Sequence, residues 1–397
     1  MIFRVPELDA VDCRVIEGIE EYRREMRYFL GVTRRWRGQL RRNLRARAMR
    51  GSNSIEGYDV SLDDAIALLD NDDEALDADQ RTVLEVTGYR NAMAYVQQLA
   101  DDPDFHMDQS LIRGLHFMML GHDLDKSPGT YRRGPIYVRD EDRDEIVYEG
   151  PDHELVPGLM AELLDQLELQ DDDGGRQPIF VAAAMAHLNL VMIHPFRDGN
   201  GRMARCLQTL ILSRNQILGQ EFASIEEWLG RNTAAYYDVL ARTGEGRWNP
   251  DRDAMSWVRF NLRAHHMQAQ TVWFRLRESD SLWSRLDDMV EERGLPSRCV
   301  NGLFTAAQGL RLRRAAYQDG ADLEYGAANR DLKAMVAAGL LVARGETRGR
   351  FYLGTASLRD LYREVRAESR GRVVDPYESL ADLPDGPITD TLPNSLF

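Results

Sequence analysis

Lysine is nearly absent from this 397-residue chain: only Lys126 and Lys333 occur, so almost all basic charge is arginine. That bias reads as genome composition rather than mechanism. Cysteine is almost as scarce. Cys13, Cys206 and Cys299 are far apart and odd in number, which excludes a disulfide framework and a zinc cluster and makes a reducing cytoplasm the expected location. No run approaches about 18 consecutive apolar residues, so no membrane span is expected. The stretch from Met1 to Phe29 has scattered acids and no apolar core, unlike a secretory signal. Positive charge is in deficit, 50 basic against 65 acidic residues for a net −15, which argues against non-specific coating of nucleic acid. With 43% hydrophobic and 29% charged residues the chain is globular, long enough for two or three domains.

The pattern along the chain is mainly helical. Val15, Ile19, Tyr22, Met26 and Phe29 fall at helical spacing over 13–30. From Arg34 to Arg50 there are eight arginines and no acid, with Trp36, Leu40, Leu44 and Ala48 four apart. This is an amphipathic helix whose basic face is either solvated or a phosphate surface. Gly51, Ser52 and Asn53 read as a boundary, and Ser61 as the N-cap of a new helix. Helices are expected over 80–101, 108–120, 154–169, 177–192, 200–215, 224–241 and 252–275. Between them, Pro135 to Arg139 and Glu145 to Tyr148 flank a charged turn and read as a β-hairpin. Residues 300–353 run helix, strand, glycine-rich turn, strand. The proline-containing end from Val373 is expected to be irregular.

One segment concentrates chemistry: His194-Pro195-Phe196-Arg197-Asp198-Gly199-Asn200-Gly201-Arg202-Met203-Ala204-Arg205. Pro195 ends the preceding apolar helix and leaves His194 at its edge. Gly199 and Gly201 permit left-handed backbone and close approach to a ligand. The next helix starts there and turns its free N–H groups toward the loop, an anion site. Arg202 and Arg205 share a helical face and suit polyphosphate oxygens. Asp198 offers a hard ligand for magnesium, and His194 a base of suitable intrinsic pKa.

The segment resembles the signature of the Fic domain, H-P-F-x-[D/E]-G-N-G-R-x-x-R, at every defined position. The hairpin is similar to the family's flap, and the resemblance covers about residues 50–245. It implies an α-helical bundle with a β-hairpin flap and transfer of AMP from ATP, with Mg2+, to a Ser, Thr or Tyr hydroxyl of a protein target or of the enzyme itself. Carried onto this sequence, His194 is the base and Asp198 the metal ligand. Gly199, Asn200, Gly201, Arg202, Met203, Ala204 and Arg205 form the ATP phosphate site, with Arg205 at the γ-phosphate. Asn232 and Tyr237 face the adenosine, although core packing explains Tyr236 and Tyr237 equally well. Ser52-Asn53-Ser54-Ile55-Glu56-Gly57 resembles the family's inhibitory motif [S/T]-x-x-x-E-[G/N], which makes Ser52, Glu56 and Gly57 a brake on Arg205. Glu17 is a decoy, because Cys13 stands where Ser or Thr is required.

Residues 300–353 resemble the winged-helix (α+β) domain often found at the C-terminus of Fic proteins. Arg311, Arg313, Arg314, Arg330, Arg344, Arg348 and Arg350 are candidate DNA phosphate contacts, against protein contact or dimerisation as the other use of that fold. The expected division is 1–105 N-terminal helical region, 106–245 catalytic core, 246–295 connecting helices, 296–360 winged-helix-like domain and 361–397 tail. The lead expectation is an autoinhibited protein adenylyltransferase, with a homodimer as a candidate assembly. Its rivals are AMP removal at the same site, and a nucleotide-sensing winged-helix regulator.

Overall fold

The computed structural model describes residues 1–72, 76–102, 104–140, 145–172, 177–215, 220–346 and 349–380. Its elements in order are α1 (Ala10–Leu30), α2 (Arg37–Ile55), α3 (Leu62–Leu69), α4 (Gln80–Ala100), α5 (Gln109–Leu120), β1 (Tyr137–Asp140), β2 (Glu145–Glu149), α6 (Val156–Asp172), α7 (Ile179–Ile193), α8 (Asn200–Arg214), α9 (Gln220–Ala223), α10 (Glu226–Arg231), α11 (Thr233–Gly244), β3 (Gly246–Arg247), α12 (Met255–Glu292), α13 (Cys299–Ala307), α14 (Arg314–Gly320), α15 (Tyr325–Ala337), β4 (Leu341–Arg344), β5 (Phe351–Gly354), α16 (Ala356–Ser369) and α17 (Pro376–Leu380). The chain is mainly α, as its periodicity predicts. Among the described residues no helix is long and apolar enough to cross a membrane.

Helix α7 is apolar on every face, so it can only be central, and α6, α8 and α12 pack around it. One apolar core gathers this bundle with α4 and α5. A second joins α12, α13, α15, β5 and α16. Helix α2 serves both: Leu40 and Leu44 lie in the second core, and Ala46, Met49 and Ile55 in the first. β1 and β2 form an antiparallel hairpin with an irregularity between Val138 and Arg139, and β3 pairs parallel with β2, which leaves β1 at the edge. The charged hairpin turn, 141–144, lies outside the described residues. β4 and β5 make the second expected hairpin.

Several expectations are corrected. Gly51, Ser52 and Asn53 are not a boundary; α2 runs through them to Ile55. A Cβ at Gly51 would lie 2.4 Å from the Glu226 carbonyl oxygen, and one at Gly230 would lie 2.7 Å from Gly51 Cα. The glycines are there for close helix approach. The basic face of α2 is neither a free surface nor fully solvated. Of the eight arginines from Arg34 to Arg50 only Arg35 and Arg50 are exposed, and Arg42 and Arg47 pair with Asp70 and Glu227. The expected helix over 224–241 is two helices. The connecting region is dominated by one 38-residue helix, α12. The tail does not begin at 361, because α16 runs to Ser369 and buries Leu358 and Val365, and α17 follows. Residues 381–397 lie outside the described residues.

Candidate active site

The site is built where α7 ends and α8 begins. His194 caps α7 with left-handed backbone, φ 51°, an uncommon conformation for a residue with a Cβ. Arg132 holds it there. Its Nε donates to the His194 carbonyl at 2.8 Å, and its backbone N–H donates to the Pro195 carbonyl at 2.9 Å. The His194 ring donates from Nδ1 to the Val191 carbonyl at 3.0 Å. That bond fixes the proton on Nδ1 and leaves the Nε2 lone pair as acceptor. Burial lowers the ring's pKa, so the imidazole is neutral and ready to take a proton.

The loop after His194 is closed by Asn200. Its side chain accepts from the Phe196 N–H and donates to the Phe196 carbonyl, each at 2.9 Å. Phe196 is fully buried and stacks on His116, with ring centroids 3.7 Å apart. His116 accepts the Gly129 N–H on Nδ1 and donates from Nε2 to the Asp198 carbonyl at 2.9 Å. Burial brings its pKa down to about 4, which keeps that arrangement at neutral pH. Gly199 has φ 75°, and α8 starts one residue later. The first N–H groups of α8 lack intrahelical acceptors and could receive an anion.

Arg205 borders that site and is 1% exposed. Its Nε donates to Ser52 Oγ at 2.7 Å, and its NH2 donates to the Ser52 carbonyl at 2.9 Å and to Glu56 Oε1 at 2.7 Å. Its NH1 has no partner among the described residues. A Cβ on Gly201 would lie 2.5 Å from Glu56 Oε1 and 3.2 Å from Arg205 NH1. The Glu56 carboxylate therefore lies over the first turn of α8, beside the vacant arm of Arg205. Burial disfavours the guanidinium charge, but Glu56 outweighs it and the Arg205 pKa rises. Gly57, with φ 81°, turns the chain away after the Glu56 C-cap.

Arg202 is equally buried, and its guanidinium is committed to Glu85, 2.7 Å from NH1 to Oε2. Glu85 also accepts from Lys126 Nζ at 2.9 Å and from the Tyr58 hydroxyl at 3.1 Å. Burial pushes Glu85 up, but Arg202 and Lys126 prevail and bring it to about 2. Lys126 reaches Asp198 Oδ2 as well, at 2.7 Å, while Asp198 Oδ1 accepts the Gly199 N–H at 2.6 Å. Against burial, Lys126 lowers the Asp198 pKa, and the carboxylate stays ionised.

A magnesium ion fits this donor set only with a ligand's help. Among the described residues no three His, Cys, Asp or Glu side chains converge on one point. Asp198 supplies one hard oxygen, and Mg2+ characteristically takes one or two carboxylates with substrate phosphates and water. The fit requires Lys126 to yield Oδ2.

The remaining predicted residues are less engaged. The side chains of Met203 and Ala204 are fully buried in the core, and the Met203 N–H is already bonded to the Gly199 carbonyl at 2.9 Å. Asn232 donates to the Trp228 carbonyl at 2.8 Å and makes no hydrogen bond to the loop among the described residues. Tyr237 is 46% exposed and donates to the Ile55 carbonyl at 3.0 Å, next to Glu56. Tyr236 is core, bonded to His187. Of the seven C-terminal arginines, Arg311 and Arg313 turn inward to Asp77 and Asp72, and Arg314 stacks on Tyr325. Arg330, Arg344 and Arg350 are exposed, and Arg348 lies outside the described residues. Sequence reasoning missed Glu85, His116, Lys126 and Arg132. Only Lys126 carried a signal, as one of two lysines.

Residues 106–212 match the Fic/DOC family. Over 206 residues the chain is 30% identical to a protein adenylyltransferase Fic of Culex quinquefasciatus, covering 50% of this chain and 37% of that one. It is 32% identical over 166 residues to a protein adenylyltransferase Fic of Nematostella vectensis, covering 41% and 36%. The chain thus spans little more than a third of the length of these curated relatives. A Fic family protein from Desulfovibrio desulfuricans shares the fold over 89% of this chain and 98% of its own, with TM-score 0.57 and 22% identity. Fic-1 from C. elegans shares it over 66% of this chain, with TM-score 0.51 and 23% identity.

Proposed function

We propose that this chain, whose residues 106–212 match the Fic/DOC family, is an autoinhibited protein adenylyltransferase, which moves AMP from ATP to a hydroxyl of a protein. The observation that carries this reading is the half-filled anion site at Arg205. One edge of its guanidinium is held by Ser52 and Glu56, and NH1, beside Gly201, makes no hydrogen bond among the described residues. A carboxylate of the chain itself occupies ground that suits a terminal phosphate.

In the transfer, the acceptor hydroxyl oxygen forms a bond to the α-phosphorus of ATP. The bond from that phosphorus to the bridging oxygen breaks, and pyrophosphate leaves. The hydroxyl proton goes to His194 Nε2, the nitrogen that the Val191 bond leaves free. The N–H groups at the start of α8 and Arg205 hold the phosphates, and most of the acceleration is positioning and electrostatics. Bound at Asp198 and the phosphates, Mg2+ would neutralise charge on the leaving group. With Glu56 in place the phosphates cannot settle against Arg205, and the α-phosphorus stays out of line.

The brake is held from behind. Trp36 Nε1 donates to Asp280 at 3.2 Å, Gln39 donates to the Asn301 carbonyl at 3.0 Å, and Asn43 donates to Gln308 at 3.3 Å. Helix α2 therefore presents Glu56 from a fixed base in the C-terminal half of the chain. AMP removal is the second reading. The Glu56 carboxylate, over the first turn of α8, is the group that would orient a water toward the phosphorus of an adenylylated protein.

Parallel incubations with α-labelled and γ-labelled ATP test the proposal. Glu56→Gly protein should retain the α label on protein and lose the γ label with pyrophosphate. Retention of the γ label would mean phosphoryl transfer and contradict it.

A further inference from the structure

A cavity of about 560 Å³ opens between the Fic loop and the segment that leads into the hairpin. Thr130, Tyr131, Arg132, Arg133, Ile136 and Arg197 are among the residues that line it. It sits against the catalytic loop. The Arg132 bonds to His194 and Pro195 form part of its wall, and Arg197 is three residues from His194.

Its charge runs against that of the molecule. The chain carries −15, yet three guanidinium groups meet here. Arg132 spends its donors on backbone carbonyls of Gly134, Pro151 and His194. Arg197 donates to the Asp125 backbone carbonyl, not to its carboxylate. Arg133 is exposed and makes no hydrogen bond or ion pair among the described residues. The Tyr131 hydroxyl is enclosed without a hydrogen-bond partner among the described residues. Burial pushes its pKa up to about 12, so it remains a donor. The sheet order supplies the approach. β1 is the edge strand, and residues 133–136 lead straight into it. A segment laid along that free edge would cross the cavity beside His194.

We propose that this cavity is an acceptor-side subsite for a carboxylate, in which Arg133 and Arg197 select target segments carrying Asp or Glu near the modified hydroxyl. The inference rests on the adenylyl transfer proposed above and adds the class of substrate. Arg197 supplies a guanidinium already steadied by Asp125. Arg133 supplies one with every donor vacant, matched to a carboxylate in fork geometry.

The test uses full-length Glu56→Gly protein and two fluorescent peptides with a central Thr. One carries Asp and Glu on both sides, and the other carries Asn and Gln at the same places. Anisotropy at low salt reads binding, and α-labelled ATP reads transfer. The acidic peptide should bind at least about tenfold tighter, the worth of one charge-assisted pair. Arg133→Glu, which disturbs no contact in the fold, should abolish that preference while leaving the affinity for a fluorescent ATP analogue unchanged. Equal binding of the two peptides, or a preference that survives Arg133→Glu, overturns the subsite. Labelling without acid preference would remove the subsite and keep adenylyl transfer. Acid-selective binding with no labelling of any acceptor would keep the subsite and remove adenylyl transfer.

Discussion

The two halves of α2 are one continuous helix doing different work. The first half is anchored by apolar insertion. Leu40 and Leu44 enter the core of α12, α13 and α16, and the Trp36, Gln39 and Asn43 side chains reach Asp280, Asn301 and Gln308. The second half makes a glycine-to-glycine approach to α10 and ends in a charge pair with Arg205. Apolar packing decays over a few tenths of an ångström and fixes position. A part-exposed carboxylate on a buried guanidinium is strong but can be exchanged for another anion. The first half therefore sets where Glu56 stands, and on the proposed reading the second is the part that a phosphate would displace.

The largest expected effect lies at the acceptor of the proton. In Glu56→Gly protein, adding His194→Ala should lower label transfer by about 10²–10⁴-fold, the usual worth of a positioned base, while nucleotide affinity measured by calorimetry stays within a few-fold. Next comes the brake itself. Glu56→Gly should raise initial labelling rates by about 10–100-fold over wild type, the equivalent of a charged hydrogen bond. Leu40→Ala probes the other half. It should cost about 2–5 kcal/mol in denaturant unfolding. It should also raise labelling by wild type while leaving the rate of Glu56→Gly unchanged, since loosening the base matters only when the brake is present. An equal change in both backgrounds would break the division of labour.

Glycine 51 is the point where sequence reading failed, and the reason is general. A glycine before Ser and Asn looks like a helix end, because local rules see only its backbone freedom. Its actual cause is the Glu226 carbonyl, 175 positions later in the chain. The same holds for Glu85, His116, Lys126 and Arg132. Each positions the loop from a distant element, and none stands in a local pattern. What was legible was contiguous: the loop from His194 to Arg205, with its capped helix and left-handed glycine, and the short run from Ser52 to Gly57. Arg202 marks the limit of that reading. Its place on the face was legible, but its commitment to Glu85 was not. Gly51→Ala should accordingly destabilise by about 1–3 kcal/mol through overpacking, although alanine is the better helix former, as thermal unfolding would show.

The smallest effect concerns pH. Glu226 opens α10 against Gly51, and burial pushes its pKa up to about 7 despite hydrogen bonds from Tyr89 and Ser224. A carboxyl raised in the folded state contributes stability below its unfolded pKa and loses it as pH rises through about 7. The buried His187 and His265, lowered to about 3, act in the opposite sense below their unfolded pKa of about 6.5. The difference between wild type and Glu226→Gln isolates the carboxyl. The variant should gain on wild type in melting temperature from about pH 5 to pH 8. A gap independent of pH would mean that Glu226 does not titrate there.

The central claim is that Glu56 restrains a site whose base is His194. It is tested most directly by protein labelling from α-labelled ATP with magnesium, alone and in cell lysate, for wild type, Glu56→Gly and Glu56→Gly with His194→Ala. The account predicts weak labelling by wild type, strong labelling by Glu56→Gly and none by the double variant. A Glu56→Gly protein that binds nucleotide yet labels nothing would contradict it, as would a double variant that labels as well as the single one.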